Sequence, residues 1–207
     1  MKKQSLIIGA AIAATLTSSM AFAEATANFG VSTVYLWRGF NLSANQPNVS
    51  GGVDYSHESG AYAGIWSASE GASSQVGPNQ AVASRSMETD IYVGYAGDME
   101  GVSYDVGYIA YTYPQETSLD FEEAYVSLGY GPVSFGYNAG MDTAADYLSL
   151  SAEYDIFSVT YGDYDTSTHI DIGVALGDEL SLTYSMPSDT GDDATILMFA
   201  WGKEFDL

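Results

Sequence analysis

The 207-residue sequence has no cysteine, which excludes a disulfide framework and any thiolate metal site. Basic residues are nearly as scarce, 5 Lys and Arg against 27 Asp and Glu, for a formal charge of −22. Phosphate binding needs clustered Lys and Arg, so nucleic acid is not an expected partner. After residue 23 no apolar run approaches the roughly 20 residues that a membrane-crossing helix requires. Disorder is excluded from the other side, because 17 Tyr, 8 Phe and 3 Trp are too many aromatics for a solvated coil. What is present is an aromatic-rich, Gly-rich, acidic chain with a mean hydropathy of −0.01, a composition that suits a sheet.

Residues 1–23 read as a cleaved export signal. Lys2 and Lys3 form a positive start, residues 6–16 an apolar stretch and Ala21-Phe22-Ala23 a small-x-small cleavage site. The remainder, 24–207, has the length of one domain. It keeps all 27 acidic groups and only Arg38, Arg85 and Lys203 of the basic ones, 3 against 27, a formal −24.

Apolar and polar residues alternate with period two from end to end, and the pattern predicts twelve strands. Val102, Tyr104, Val106, Tyr108 and Ala110 oppose Ser103, Asp105 and Gly107; Val133, Phe135 and Tyr137 oppose Ser134, Gly136 and Asn138. The first strand is expected to run through Phe29, Val31, Thr33, Tyr35 and Trp37 on one face. Short turns at 56–60, 97–101, 131–132, 155–156 and 177–179 alternate with longer polar loops at 39–46, 68–86, 114–120, 140–146, 163–168 and 187–193.

A sheet with one apolar and one polar face has two physical solutions. It buries the apolar faces against each other in a soluble sandwich, or turns them outward to lipid and encloses the polar face. Strands of about 9 to 11 residues cross a bilayer at a tilt, and small Gly and Ser residues suit a crowded interior. Open edges are forbidden in hydrocarbon, so a spanning sheet must close. The expected fold is therefore all-β: a closed antiparallel transmembrane barrel of about twelve strands, with short periplasmic turns and longer extracellular loops, in the outer membrane. Tyr35, Trp37, Trp66, Tyr95, Tyr130, Tyr154 and Trp201 are expected on the outward face, where amphipathic rings sit at lipid headgroups.

Segment 35–67 resembles the TorF family of porin-like, functionally uncharacterised bacterial outer-membrane proteins. The matching residues are Tyr35, Arg38-Gly39, Ser43, Pro47, Gly51-Gly52, Asp54-Tyr55, His57-Glu58-Ser59-Gly60, Tyr62, Gly64 and Trp66. Segment 88–114, with Asp90-Ile91-Tyr92 and Tyr111-Thr112-Tyr113-Pro114, and the run from Glu122-Glu123 to Tyr130 are similar as well. The resemblance implies an outer-membrane channel and no particular substrate. The 68–86 loop departs from the family pattern.

Alternation places Asp54, Glu88, Asp90, Asp105, Glu123, Glu153 and Asp171 toward the lumen, where carboxylates would concentrate cations and repel anions. The alternative is that they only solvate a plugged interior. Arg38 is expected to point inward and to pair with Glu88 or Glu123, since a lone desolvated guanidinium is costly. Tyr92, Tyr111 and Tyr125 point inward, as packing or as a stacking track. His169 and Asp171 could join a serine in a hydrolytic set, but no nucleophile-elbow sequence is present. Asp189, Asp192 and Asp193, and Asp163 with Asp165, lack the fixed spacing of an ion-binding loop. The expected function is passive diffusion of small solutes, with no catalysis, cofactor or metal. Expected partners are membrane lipid, lipopolysaccharide, the permeating solutes and, during biogenesis, the barrel-assembly machinery.

Overall fold

The computed structural model describes residues 24–71, 87–142, 144–191 and 193–207. Residues 1–23, where the sequence leads one to expect an export signal, most of the 68–86 loop and Asp192 lie outside the described residues. The chain runs through β1 (Glu24–Ser32), the short β2 (Leu36–Trp37) and β3 (Phe40–Asn41), β4 (Asn48–Ser56), β5 (Ala61–Ser69), β6 (Met87–Met99), β7 (Val102–Thr112), β8 (Phe121–Tyr130), β9 (Val133–Gly140), β10 (Tyr147–Tyr154), β11 (Phe157–Tyr164), β12 (Ser167–Ala175), β13 (Leu180–Ser188) and β14 (Ile196–Asp206). All but β2 and β3 form one closed antiparallel barrel, the twelve strands that the periodicity predicts. β1 closes the ring by pairing with β4 on one side (Phe29 opposite Gly51) and with β14 on the other (Val31 opposite Trp201).

Because side chains alternate along each strand, closure sorts them into two environments. Val49, Val53, Ile65, Ile91, Val106, Leu128, Leu150, Ile172 and Phe199 form an exposed apolar exterior. Ser, Thr, Gly, Tyr and acidic residues line the inside. The inner wall is asymmetric. Across β4–β8 tyrosine rings lie flat over glycines: a Cβ on Gly64 would sit 2.4 Å from the Tyr92 ring, and one on Gly107 2.4 Å from the Tyr125 hydroxyl. Across β9–β13 the inward positions are mostly small, such as Ser149, Ser151, Thr160, Gly173, Ser181 and Ser185. There Ser151 and Thr160 share a hydrogen bond of 2.8 Å.

Both ends of the barrel-forming chain and the tight turns share one end of the barrel, and the remaining connections share the other. These are called the turn end and the loop end. At the turn end Glu179 accepts hydrogen bonds from Lys203 Nζ (2.9 Å) and Trp201 Nε1 (3.0 Å), tying the β12–β13 turn to β14. The Lys203 ammonium, and then the indole N–H, hold the Glu179 carboxyl below its usual range. At the loop end Asp146 accepts from the Tyr137 hydroxyl (2.6 Å) and Gly140 N–H (3.0 Å), which lower its pKa in that order and fix the β9–β10 loop.

Four sequence expectations are corrected. The first strand stops at Ser32, so Tyr35 and Trp37 are not on its outward face; they are 3% and 4% exposed inside the barrel. Trp66 also points inward, sharing parity with Tyr62 and Gly64 on β5 while Ile65 faces out. The 39–46 stretch is not a solvated loop, since Phe40, Leu42 and Ser43 are buried. The 163–168 loop shrinks to the two-residue turn 165–166, with Asp165 at φ +57°. Pairing of β11 with β12 continues to Tyr164–Ser167, where the Ser167 hydroxyl donates to the Tyr164 carbonyl at 2.8 Å. Tyr95, Tyr130 and Tyr154 remain exposed on the outward face, and Trp201 packs edge-on against outward Phe29.

An apolar exterior makes a specific demand on stability. Val106 lies near the middle of β7 and faces out. Val106→Lys is expected to destabilise the barrel in lipid vesicles by about 2–4 kcal/mol, the cost of a cation on a lipid-facing strand near the midplane. Urea titration read by heat-modifiable gel migration measures it; a change within about 0.5 kcal/mol, as for an ordinary solvated position, would contradict a lipid-facing exterior.

Candidate functional site

Beyond Ser32 the chain turns into the barrel. The Ser32 hydroxyl donates to the Val34 carbonyl (2.6 Å), and Thr33 exchanges hydrogen bonds with Phe199 through its N–H (2.9 Å) and its Oγ1 (3.0 Å). Such local side-chain bonds end a ladder by offering the backbone other partners. β2 and β3 then form a small hairpin across Arg38 and Gly39, at φ +47° and +83°. A tight two-residue hairpin turn of the I′ kind needs positive φ at both positions. Gly39 meets a second requirement, because a Cβ there would lie 2.8 Å from His169 Cβ. Arg38 has no such freedom, and a long side chain in this region marks a position over-determined by its surroundings.

Those surroundings are the barrel walls. Val34 and Leu36 pack on Met198 of β14, and Tyr35, Trp37, Phe40 and Leu42 form a buried cluster with Ala68 of β5. Trp37 meets Tyr111 and Phe121 edge-on at 6.2 and 6.3 Å between centroids, and Tyr164 at 5.3 Å from another part of the wall. The Tyr35 and Tyr113 hydroxyls both donate to Glu88, one to each carboxylate oxygen. The hairpin therefore crosses the lumen at the loop end and is anchored on several sides of the ring.

Arg38 stands at its tip. Its two terminal nitrogens donate in parallel to the two oxygens of Glu123 on β8, each at 2.7 Å, with side-chain exposures of 6% and 0%. Of the two partners offered by the sequence, the pair forms with Glu123. Glu123 Oε2 also accepts from Asn138 Nδ2 of β9 at 2.9 Å and from the Tyr111 hydroxyl of β7 at 3.3 Å. The guanidinium carbon lies 4.4 Å from the Trp37 ring centre, 4.2 Å from that of Tyr147 and 5.2 Å from that of Tyr164. A bidentate carboxylate and aromatic faces are the surroundings that a planar, weakly hydrated cation favours.

The other sequence candidates occupy distinct surroundings. Asp54 accepts from Asn28 Nδ2 (3.0 Å) and from the Tyr92 hydroxyl. Asp105 accepts from Tyr62 (2.6 Å), whose hydroxyl also meets that of Tyr125. Asp90 lies two residues from Glu88 and is buried, and its Oδ1 has no hydrogen-bond partner among the described residues. Glu153 is exposed near the turn end of β10. Asp171 Oδ1 is 3.1 Å from His169 Nδ1, and His169 Nε2 is 3.1 Å from the Tyr147 hydroxyl. A tyrosine, not a serine, thus stands at the imidazole nitrogen that a hydrolytic set would use. The structure thereby brings together Arg38 and Glu123, with Glu88 held at the same hairpin, and leaves Asp54, Asp105, Glu153 and Asp171 dispersed around the wall.

Sequence reasoning did not nominate Asn138, Tyr147 or Tyr164 for the guanidinium site. They come from β9, β10 and β11, far from Arg38 along the chain, and no spacing signal connects them. Glu204 was also not nominated, although its parity on β14 puts it on the inner face, exposed toward the turn end.

Removing one partner from a buried ion pair leaves an uncompensated charge, whereas replacing both with apolar groups is far less costly. Glu123→Gln is expected to destabilise the barrel by about 3–5 kcal/mol, and Arg38→Met combined with Glu123→Leu by much less. Urea unfolding of single and double variants measures the coupling; additive losses would mean that the two groups do not form a pair.

No curated protein is a significant match to this sequence. Among solved structures, the KdgM porin superposes with a TM-score of 0.53 at 8% identity, covering 88% of this chain and 99% of that one. The KdgM porin in complex with disordered oligogalacturonate gives 0.51 at 9% identity, covering 88% and 99%. A triple mutant of the Rhodopseudomonas blastica porin gives 0.32 at 12% identity over 90% and 99%. At such identities the KdgM likeness is one of fold, that of a barrel-type porin. The sequence itself is matched over residues 14–186 by the family described as "Bacterial protein of unknown function (Gcw_chp)", and the chain belongs to that family.

Proposed function

We propose that this protein is a narrow porin-like channel of the bacterial outer membrane, exported with loss of residues 1–23, through which small cations and neutral solutes diffuse passively. The observation that carries the proposal is the inversion of the barrel: an exposed apolar exterior around a ring of Ser, Thr, Gly, Tyr and carboxylate side chains. Only a hydrocarbon solvent favours that arrangement over its reverse. The fold shared with the KdgM porin and the resemblance of segment 35–67 to TorF-family porins support the same reading.

The charge of the inner residues supports the direction of selectivity. One KdgM structure holds oligogalacturonate, an oligomer of a sugar acid and so a polyanion. In this chain the inward charged residues are mostly carboxylates, and the Arg38 guanidinium is matched by Glu123. An anionic solute would meet repulsion along such a wall, and a cation attraction. The hairpin at the loop end narrows the path, which supports slow passage of small solutes. The same feature favours a second reading, a plugged structural barrel, because Trp37, Phe40 and Leu42 pack as a core inside the ring.

Recording in planar bilayers separates the two readings. Discrete conductance steps with a cation-selective reversal potential in a KCl gradient are expected; silence under all voltages favours the plug, and anion selectivity contradicts the proposal. A unit charge about 6 Å from the path contributes about 0.7 kcal/mol in water-like screening, about threefold in local cation concentration. Glu153→Gln and Glu204→Gln, at exposed inner positions, are each expected to lower the cation-to-anion permeability ratio by about tenfold, because the same potential that enriches cations about threefold depletes anions about threefold.

A further inference from the structure

The surroundings of Arg38 belong mostly to the wall rather than to the hairpin. Glu123 is held ready by Asn138 at 2.9 Å and Tyr111 at 3.3 Å, and the Tyr147 and Tyr164 rings, on β10 and β11, lie 4.2 and 5.2 Å from the guanidinium carbon. Among the described residues that surround the guanidinium, only Trp37 moves with the chain segment that carries Arg38. Four strands, β7 to β10, thus supply a carboxylate with an exposure of 0%, its two wall donors and an aromatic face 4.2 Å from the bound cation. We infer that this is a receptor site for guanidinium-bearing solutes, occupied here by a tethered copy of its own ligand.

The chemistry selects guanidinium over other cations. Two parallel N–H···O bonds of 2.7 Å use both oxygens of Glu123 at once, a geometry that a planar fork satisfies and a tetrahedral ammonium does not. The flat faces of Trp37 and Tyr147 suit a delocalised, weakly hydrated cation. Arg38 holds the site at the high effective concentration that a short tether gives, so a free solute displaces it only at millimolar levels or above. In a conducting barrel, displacement would release the hairpin tip from the wall, and guanidinium solutes would then modulate the path at the loop end. That consequence rests on the channel reading; the binding site does not.

The test uses the full barrel in detergent micelles with Arg38→Ala, titrated with ethylguanidinium and read by tryptophan fluorescence and by the midpoint of heat-modifiable migration. Ethylguanidinium is expected to bind the variant and raise its midpoint toward wild type. Ethylammonium should bind about tenfold more weakly, the difference of one charge-assisted hydrogen bond, and Arg38→Ala with Glu123→Gln should lose the response. If Arg38→Ala refolds poorly, its yield with and without ethylguanidinium reads the same point, and Arg38→Gln repeats the titration. Equal binding of the two cations, or a response that survives Glu123→Gln, would overturn the site. A wild-type conductance that ethylguanidinium leaves unchanged while the micelle titration succeeds would remove only the modulation of the path, and a silent bilayer would count against the channel reading alone.

Discussion

Backbone N–H and C=O groups cannot go unpaired in hydrocarbon, and this constraint governs the rest of the molecule. A sheet with an apolar outer face satisfies it only by joining its first strand to its last, as β1 does with β14 through residues 26–32 and 200–206. Once the ring is closed, the period-two alternation of side chains has no further freedom: Val106 looks out wherever Asp105 and Gly107 look in. The polar residues are inside as a consequence of what the exterior must contact.

An enclosed polar interior raises its own difficulty, because carboxylates removed from water need partners. Tyrosine hydroxyls supply many of them. Tyr92 serves Asp54, Tyr62 serves Asp105, and Tyr35 and Tyr113 serve Glu88. Glycines at 64, 94 and 107 leave room for the rings to lie across the wall. Glu123 is served instead by a guanidinium brought in on the hairpin. That pair adds little net stability against an apolar alternative, so its value lies in fixing where the hairpin tip sits. Apolar packing of Trp37, Phe40 and Leu42 supplies the attraction, and the Arg38–Glu123 fork supplies the register.

The barrel was legible because each of its strands repeats one local rule, and strand number, topology and the location of most inward residues follow from that rule. The hairpin was not legible, because Thr33, Tyr35 and Trp37 continue the alternation of β1 without a break. Period two does not distinguish a ring that faces lipid from one that packs inside the lumen. A signal was present in Arg38-Gly39, a charged residue and a glycine flanked by Leu36, Trp37, Phe40 and Leu42, which is the grammar of a tight turn between apolar arms. Trp66 was misplaced by its residue type, since amphipathic rings suit a membrane interface, although its parity with Tyr62 and Gly64 pointed inward. The guanidinium site depends on Asn138, Tyr147 and Tyr164, which closure of the ring brings near Arg38 and no local pattern links.

The absence of native cysteine allows the orientation of the wall to be measured directly with single introduced thiols. An environment-sensitive fluorophore on Val106→Cys or Ser127→Cys, positions of opposite parity on neighbouring strands, can be challenged with brominated lipid and with aqueous iodide in reconstituted vesicles. Quenching by brominated lipid at 106 and not at 127 is the predicted result. Quenching by iodide at 106, with the lipid quencher silent there, would contradict an exterior that faces hydrocarbon and with it the whole reading of the barrel.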